Sequence, residues 1–120
     1  MYSPQILDHF EHPRNAGSLA SPDAAARIEN PACGDVLQLA IRVAGGRIEE
    51  IAFRAKGCVA SMACASAVTE LARGKSVEQA RRVSREELLA VVGGLPPASI
   101  HATHLAIDAL RAALDQLMPK

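Results

Sequence analysis

Four side chains in this sequence carry metal-site chemistry: Cys33, Asp35, Cys58 and His101. Cys33 lies in the tight turn Pro31-Ala32-Cys33-Gly34-Asp35, where Gly34 lets the backbone reverse and leaves room beside the sulfur. Asp35 sets a carboxylate two residues further on. Cys58 follows Gly57 at the predicted start of a helix, where unpaired N–H groups and the helix dipole favour a thiolate. A thiolate is the form that binds metal or attacks sulfur. His101 opens the last predicted helix. Zinc takes four ligands of these types in a tetrahedron, so the set supplies a full count. Each residue also has a plainer reading. A lone cysteine is commonly a small buried hydrophobe. An aspartate can cap a turn, and a histidine can simply begin a helix.

Two further candidates separate from this group by geometry. Cys64 comes six residues after Cys58, so on a helix it points about 120° away and lies about 9 Å along the axis. It reads as core. His104 sits one turn after His101 and is kept as a reserve ligand.

The positioning elements read as follows. Ser3-Pro4 is an N-cap followed by proline at the first helical position, and a short helix with Ile6, Leu7 and Phe10 on one face runs to Pro13. Residues 14–34 are rich in Asn, Gly, Pro and Ser and read mainly as loop, with a weak strand signal over Ala24–Asn30. From Val36 to Val43 the sequence alternates, with Leu37, Leu39, Ile41 and Val43 opposed to Gln38 and Arg42. Gly45-Gly46 turns the chain, and Ile51, Phe53 and Ala55 repeat the alternation, which predicts a hairpin. Residues 58–73 change to a helical composition that Gly74 stops. Ser76-x-x-Gln79 and Ser84-x-x-Glu87 predict two capping boxes opening short helices. After Gly93-Gly94 and Pro96-Pro97, a last helix is expected from about Ser99 to Met118, burying Ile100, Ile107, Leu110, Leu114 and Leu117. A sheet followed by a run of helices is the α+β pattern: a small antiparallel sheet of about three strands packed against four to five helices.

Composition bounds the reading. The 120 residues suit a single domain over 1–120 with one core. At 49% hydrophobic but only 2% aromatic, that core must be built from Leu, Ile, Val and Ala. Thirteen basic residues balance thirteen acidic ones and are scattered, which argues against a nucleic-acid surface. No apolar stretch reaches the ~18–20 residues of a membrane span, and no signal peptide is legible after Met1. A reducing cytoplasm is the expected setting, where cysteines near Asp and His are metal ligands or reactive thiols.

Together these motifs resemble the IscU/NifU-type iron–sulfur cluster assembly scaffold family. The resemblance spans nearly the whole chain. It is carried by residues 2–17 from Tyr2-Ser3-Pro4 to Asn15-Ala16-Gly17, by Pro31-Ala32-Cys33-Gly34-Asp35, Lys56-Gly57-Cys58, Val68-Thr69-Glu70 and Gly74-Lys75-Ser76, and by Leu95-Pro96-Pro97 with Ile100-His101. It implies a SufE/NifU-like fold and a non-enzymatic scaffold. It also implies a cysteine desulfurase as sulfur donor, iron, a 2Fe–2S cluster, and client apo-proteins or carrier proteins. Cys33, Asp35, Cys58 and His101 match the family's ligand positions, and zinc binds at the same place in family members. The spacing between Cys58 and His101 lacks the insertion of the SufU branch and favours the IscU/NifU branch.

The sequence departs from that pattern at two places. The family's third cysteine directly follows the histidine; here that position is Ala102. The family's chaperone-recognition stretch Leu-Pro-Pro-Val-Lys reads Leu95-Pro96-Pro97-Ala98-Ser99, so dependence on the specialised chaperone is not expected. Two thiolates with Asp and His still make a zinc site of net charge near −1, whereas a cluster prefers more thiolate. Cys58 is then the candidate sulfur acceptor. Two readings stay open: a scaffold working with fewer thiolates, and a relative that binds metal and partners but builds no cluster. A cysteine hydrolase using Cys58 and His101 has no legible oxyanion hole or substrate pocket.

Overall fold

The computed structural model describes residues 2–30 and 34–117. Ser3 accepts a hydrogen bond from the Ile6 N–H and caps α1, Pro4–Glu11. Three strands follow, β1 Ala24–Asn30, β2 Asp35–Ala44 and β3 Arg47–Lys56, in an antiparallel sheet of order β1-β2-β3. Then come α2, Val59–Ala72, α3, Val77–Arg81, and α4, Arg85–Val91. A 3-10 turn, Pro97–Ser99, leads into α5, His101–Asp115.

The hairpin forms as its sequence predicts. Gly45 and Gly46 both adopt left-handed φ values, 60° and 76°, the geometry that matches a tight turn to strand twist. Leu37, Leu39 and Ile41 face the core from β2. A bulge at Arg42/Val43 pairs Val43 with Ile48 and Arg42 with Glu50, so Glu49 has no partner opposite it. Val43 is consequently only half-buried, and Ile48 fills the core position at that level. Ala52 is also buried, because the 15–17 segment lies along β3: Phe53 N–H donates to the Asn15 carbonyl and Gly17 N–H to the Phe53 carbonyl.

Helix α5 packs over β1 and β2, α2 over β3, and the two helices pack on each other. Ten of the fourteen residues of α2 are buried, mostly Ala and Ser. A helix enclosed on nearly all sides needs small side chains for close approach, which accounts for its composition. The core otherwise rests on Ile, Leu and Val, with Phe53 its single buried aromatic among the described residues. Fully burying each such side chain contributes roughly 1.5–3 kcal/mol.

Two sequence expectations are corrected here. Helix α1 does not bury Leu7 and Phe10, which are exposed; Ile6 and His9 face the core instead. His9 can do so because Ser66 of α2 lies 2.8 Å from its Nδ1, a partner the local sequence cannot reveal. The last helix begins at His101 rather than Ser99, because Pro97–Ser99 forms the tighter 3-10 turn. Ser76 and Gln79 make the complete capping box of α3, while Ser84 caps α4 by accepting from the Glu87 N–H.

Candidate metal centre

The fold brings three chain junctions to one end of the sheet. Asp35 is the first residue of β2. Gly57 and Cys58 link β3 to α2, and Cys58 is the N-cap of that helix. His101 is the first residue of α5. One ligand atom from each of Asp35, Cys58 and His101 can be chosen so that all lie within 4.8 Å of one another. Ligands 2.0–2.3 Å from a shared tetrahedral metal stand about 3.3–3.8 Å apart, so small side-chain adjustments close the group.

Asp35 forms the floor, 2% exposed, and His101 the rim, its side chain 31% exposed. A buried carboxylate must be compensated by hydrogen bonds or charge. Here the Ser61 hydroxyl donates to Oδ2 at 2.7 Å, His101 Nε2 lies 3.2 Å from the same oxygen, and the Cys58 N–H donates to Oδ1 at 3.4 Å. Cys58 Sγ accepts from the Ser61 N–H at 3.4 Å and lies 3.3 Å from the Ser61 hydroxyl. Gly57, at φ 154°, lets the chain pass directly over the carboxylate.

The structure places the remaining candidates plainly. Cys33 lies outside the described residues. Cys64 is fully buried among core residues, and burial, then the nearby Cys58, pushes its thiol up to about 12. His104 is exposed and turns to Arg85 of α4, with Nδ1 2.7 Å from Nη1, so it does not serve as a reserve ligand in this arrangement. Ala102 is buried, 1% exposed. Ser61 and Gly57 were not legible as site residues. The signal for Ser61 was its place three residues after an N-cap, where helix geometry sets residue and cap against each other.

A family model described as the NifU-like N terminal domain matches residues 1–120. This chain belongs to that family. The iron-sulfur cluster assembly scaffold protein IscU 1 of Archaeoglobus fulgidus is 42% identical over 114 residues, spanning 95% of this chain and 74% of its own length. The corresponding IscU scaffold protein of Haemophilus influenzae is 40% identical over 117 residues, covering 94% of this chain and 92% of its own. Among solved structures, the N-terminal NifU-like protein of Brucella abortus superposes with a TM-score of 0.79 at 19% identity, covering 96% of this chain and 92% of that one. At that identity the match speaks for the NifU-like fold alone.

Proposed function

We propose that this protein is a non-catalytic iron–sulfur cluster assembly scaffold whose ligand set is Cys33, Asp35, Cys58 and His101. Iron and the 2Fe–2S cluster are its cargo. The observation that carries the reading is the convergence of Asp35, Cys58 and His101 within 4.8 Å in a chain of this family. Two thiolates, a carboxylate and an imidazole suit iron, and equally zinc in an open site. Sulfur arrives from a cysteine desulfurase: the Cys58 thiolate attacks the outer sulfur of the donor's persulfide, forming a persulfide on Cys58 and freeing the donor's thiolate, with no net oxidation. Client apo-proteins or carriers then take the cluster. Among the described residues no helix is long and apolar enough to cross a membrane.

Ala102 favours a second reading, since it leaves one thiolate fewer than the family pattern implies. On that reading the protein holds zinc, docks the same partners and builds no cluster. Anaerobic reconstitution with iron and sulfide separates the two. Sulfur-to-iron charge-transfer absorption is expected from the scaffold. A colourless protein that returns only zinc by elemental analysis supports the second reading. Desulfurase and cysteine should also leave a persulfide detectable by mass spectrometry on Cys58. A mass shift on neither Cys58 nor Cys33 would rule out sulfur acceptance.

A further inference from the structure

We infer that Ser61 is the positioning residue of this metal centre, holding Asp35 and Cys58 in the arrangement a metal ion takes up. The inference rests on the ligand reading above and extends it to a residue outside the ligand set. Ser61 sits in the first turn of α2, 3% exposed, in a helix otherwise filled by alanines and other small residues. Its hydroxyl has one proton and two neighbours. Asp35 Oδ2 at 2.7 Å is the shorter contact and the anion; Cys58 Sγ stands at 3.3 Å. A hydroxyl–carboxylate bond is charge-assisted and among the stronger hydrogen bonds, so the proton goes to Asp35. With that proton committed to Asp35, Ser61 reaches Cys58 through its backbone, the Ser61 N–H donating to the sulfur at 3.4 Å. One residue thus touches two of the three converging ligands.

The rest of the shell makes this contact decisive. Asp35 has three hydrogen-bond partners: Ser61, His101 and the Cys58 N–H, the last at 3.4 Å. His101 must turn an unprotonated nitrogen toward a metal and cannot then also donate that nitrogen's proton to Asp35. In the loaded state Ser61 is therefore the strong remaining bond that fixes the carboxylate. Partners of this kind orient ligands, and losing one typically weakens metal binding about 10–100-fold.

Cobalt(II) titration, read by d–d absorption and by sulfur-to-cobalt charge transfer, tests this in the unaltered protein, in Ser61→Ala, in Asp35→Ala and in the double variant. Ser61→Ala should bind cobalt about 10–100-fold more weakly than the unaltered protein. Because Ser61 acts largely through Asp35, adding Ser61→Ala to Asp35→Ala should cost much less than that. Equal affinity and an unchanged spectrum in Ser61→Ala would overturn the inference, as would a full penalty persisting without Asp35. Circular dichroism and thermal unfolding without metal are read alongside. If Ser61→Ala and Ser61→Gly both lose the native fold, the serine is structural and the inference fails. Failure of the unaltered protein to bind cobalt would instead overturn the ligand reading itself.

Discussion

Gly57 and Asp35 are in contact such that no side chain fits between them: a Cβ at residue 57 would stand 2.2 Å from Asp35 Oδ1. Residue 57 also holds φ 154°, which L-residues rarely adopt. Gly57→Ala must therefore both strain the backbone and push the carboxylate out of the site. We expect a stability loss of about 1–3 kcal/mol, seen in thermal unfolding. Cobalt binding should fall further than stability explains. A variant that unfolds less readily than expected and still binds cobalt normally would show that the carboxylate is free to move.

His101 and His104 lie one turn apart on α5 yet point to different partners. His101 Nε2 lies 3.2 Å from Asp35, and His104 Nδ1 lies 2.7 Å from Arg85. Replacing His101 with alanine should weaken zinc or cobalt binding by more than about a hundredfold, because loss of a ligand exceeds loss of an outer-shell partner. Its half-buried position on the rim of the site means the fold should survive. His104→Ala should bind metal as the unaltered protein does. Competition titration against a chromophoric chelator reads both. Equal losses in the two variants would assign His104 to the site after all.

What the sequence revealed follows from the range of the forces involved. Alternation around Gly45-Gly46 is a local signal, so the hairpin of β2 and β3 was legible, while the bulge that puts Ile48 rather than Val43 in the core was not. The cap at Ser3 and the box at Ser76 are local as well. Strand β1, with its three leading alanines, offers little contrast between faces; pairing with β2 over Ala24–Asn30 makes it a strand. The buried face of α1 was misread because His9 is stabilised from α2, 57 residues away. In the candidate site the ligand types were visible, since Cys, Asp and His are chemically distinctive. Ser61 was not, because a serine in an alanine-rich helix reads as filler until Asp35 is placed against it.

His9 makes stability depend on pH. Desolvation lowers its pKa below the ordinary 6.5 and Arg14 adds to this, while Glu70 and Asp8 oppose it. Its ring contacts Ser66, and Nε2 lies 3.8 Å from Glu70. With a depressed folded-state pKa, the unfolded chain takes up the proton first. The stabilisation is present above pH 6.5 and is lost as pH falls through the folded value. Metal-free protein in chelator should accordingly melt at lower temperature as pH drops from 7.5 to 5. In His9→Asn that slope should flatten, at a cost of roughly 1–2 kcal/mol at pH 7.5. An unchanged slope would place the acid sensitivity elsewhere.

The thiols of α2 should differ sharply in reactivity. Cys58 is half-buried at the helix N-terminus, whereas Cys64 is fully buried with its thiol pushed up to about 12. Thiolate is the reactive form, so iodoacetamide at pH 8 should label Cys58 and spare Cys64 until denaturant is added. Fragment-ion mass spectrometry separates the two positions. The raised value also means that Cys64 favours the folded state below pH 9.0, and that this contribution fades as pH rises toward 12. Rapid labelling of Cys64 in the native protein would show that α2 opens far more often than its burial implies.

Ala102 supplies the most direct test of what limits this scaffold. It follows His101 on α5 and is 1% exposed, so a cysteine there adds a single sulfur atom at a buried position beside a proposed ligand. Overpacking of that size costs about 1–3 kcal/mol, which metal-free thermal unfolding would register. The gain lies in the donor set, which goes from two thiolates to three and so approaches the mostly thiolate ligation that clusters favour. After anaerobic reconstitution, Ala102→Cys should hold more iron and sulfide through desalting and absorb more strongly in the charge-transfer region than the unaltered protein. Zinc affinity should change less, because the proposed ligands Cys33, Asp35, Cys58 and His101 would already make a tetrahedral count. Identical cluster retention in both proteins would mean that residue 102 does not face the metal, and that the missing thiolate is not what sets the protein's capacity to build a cluster.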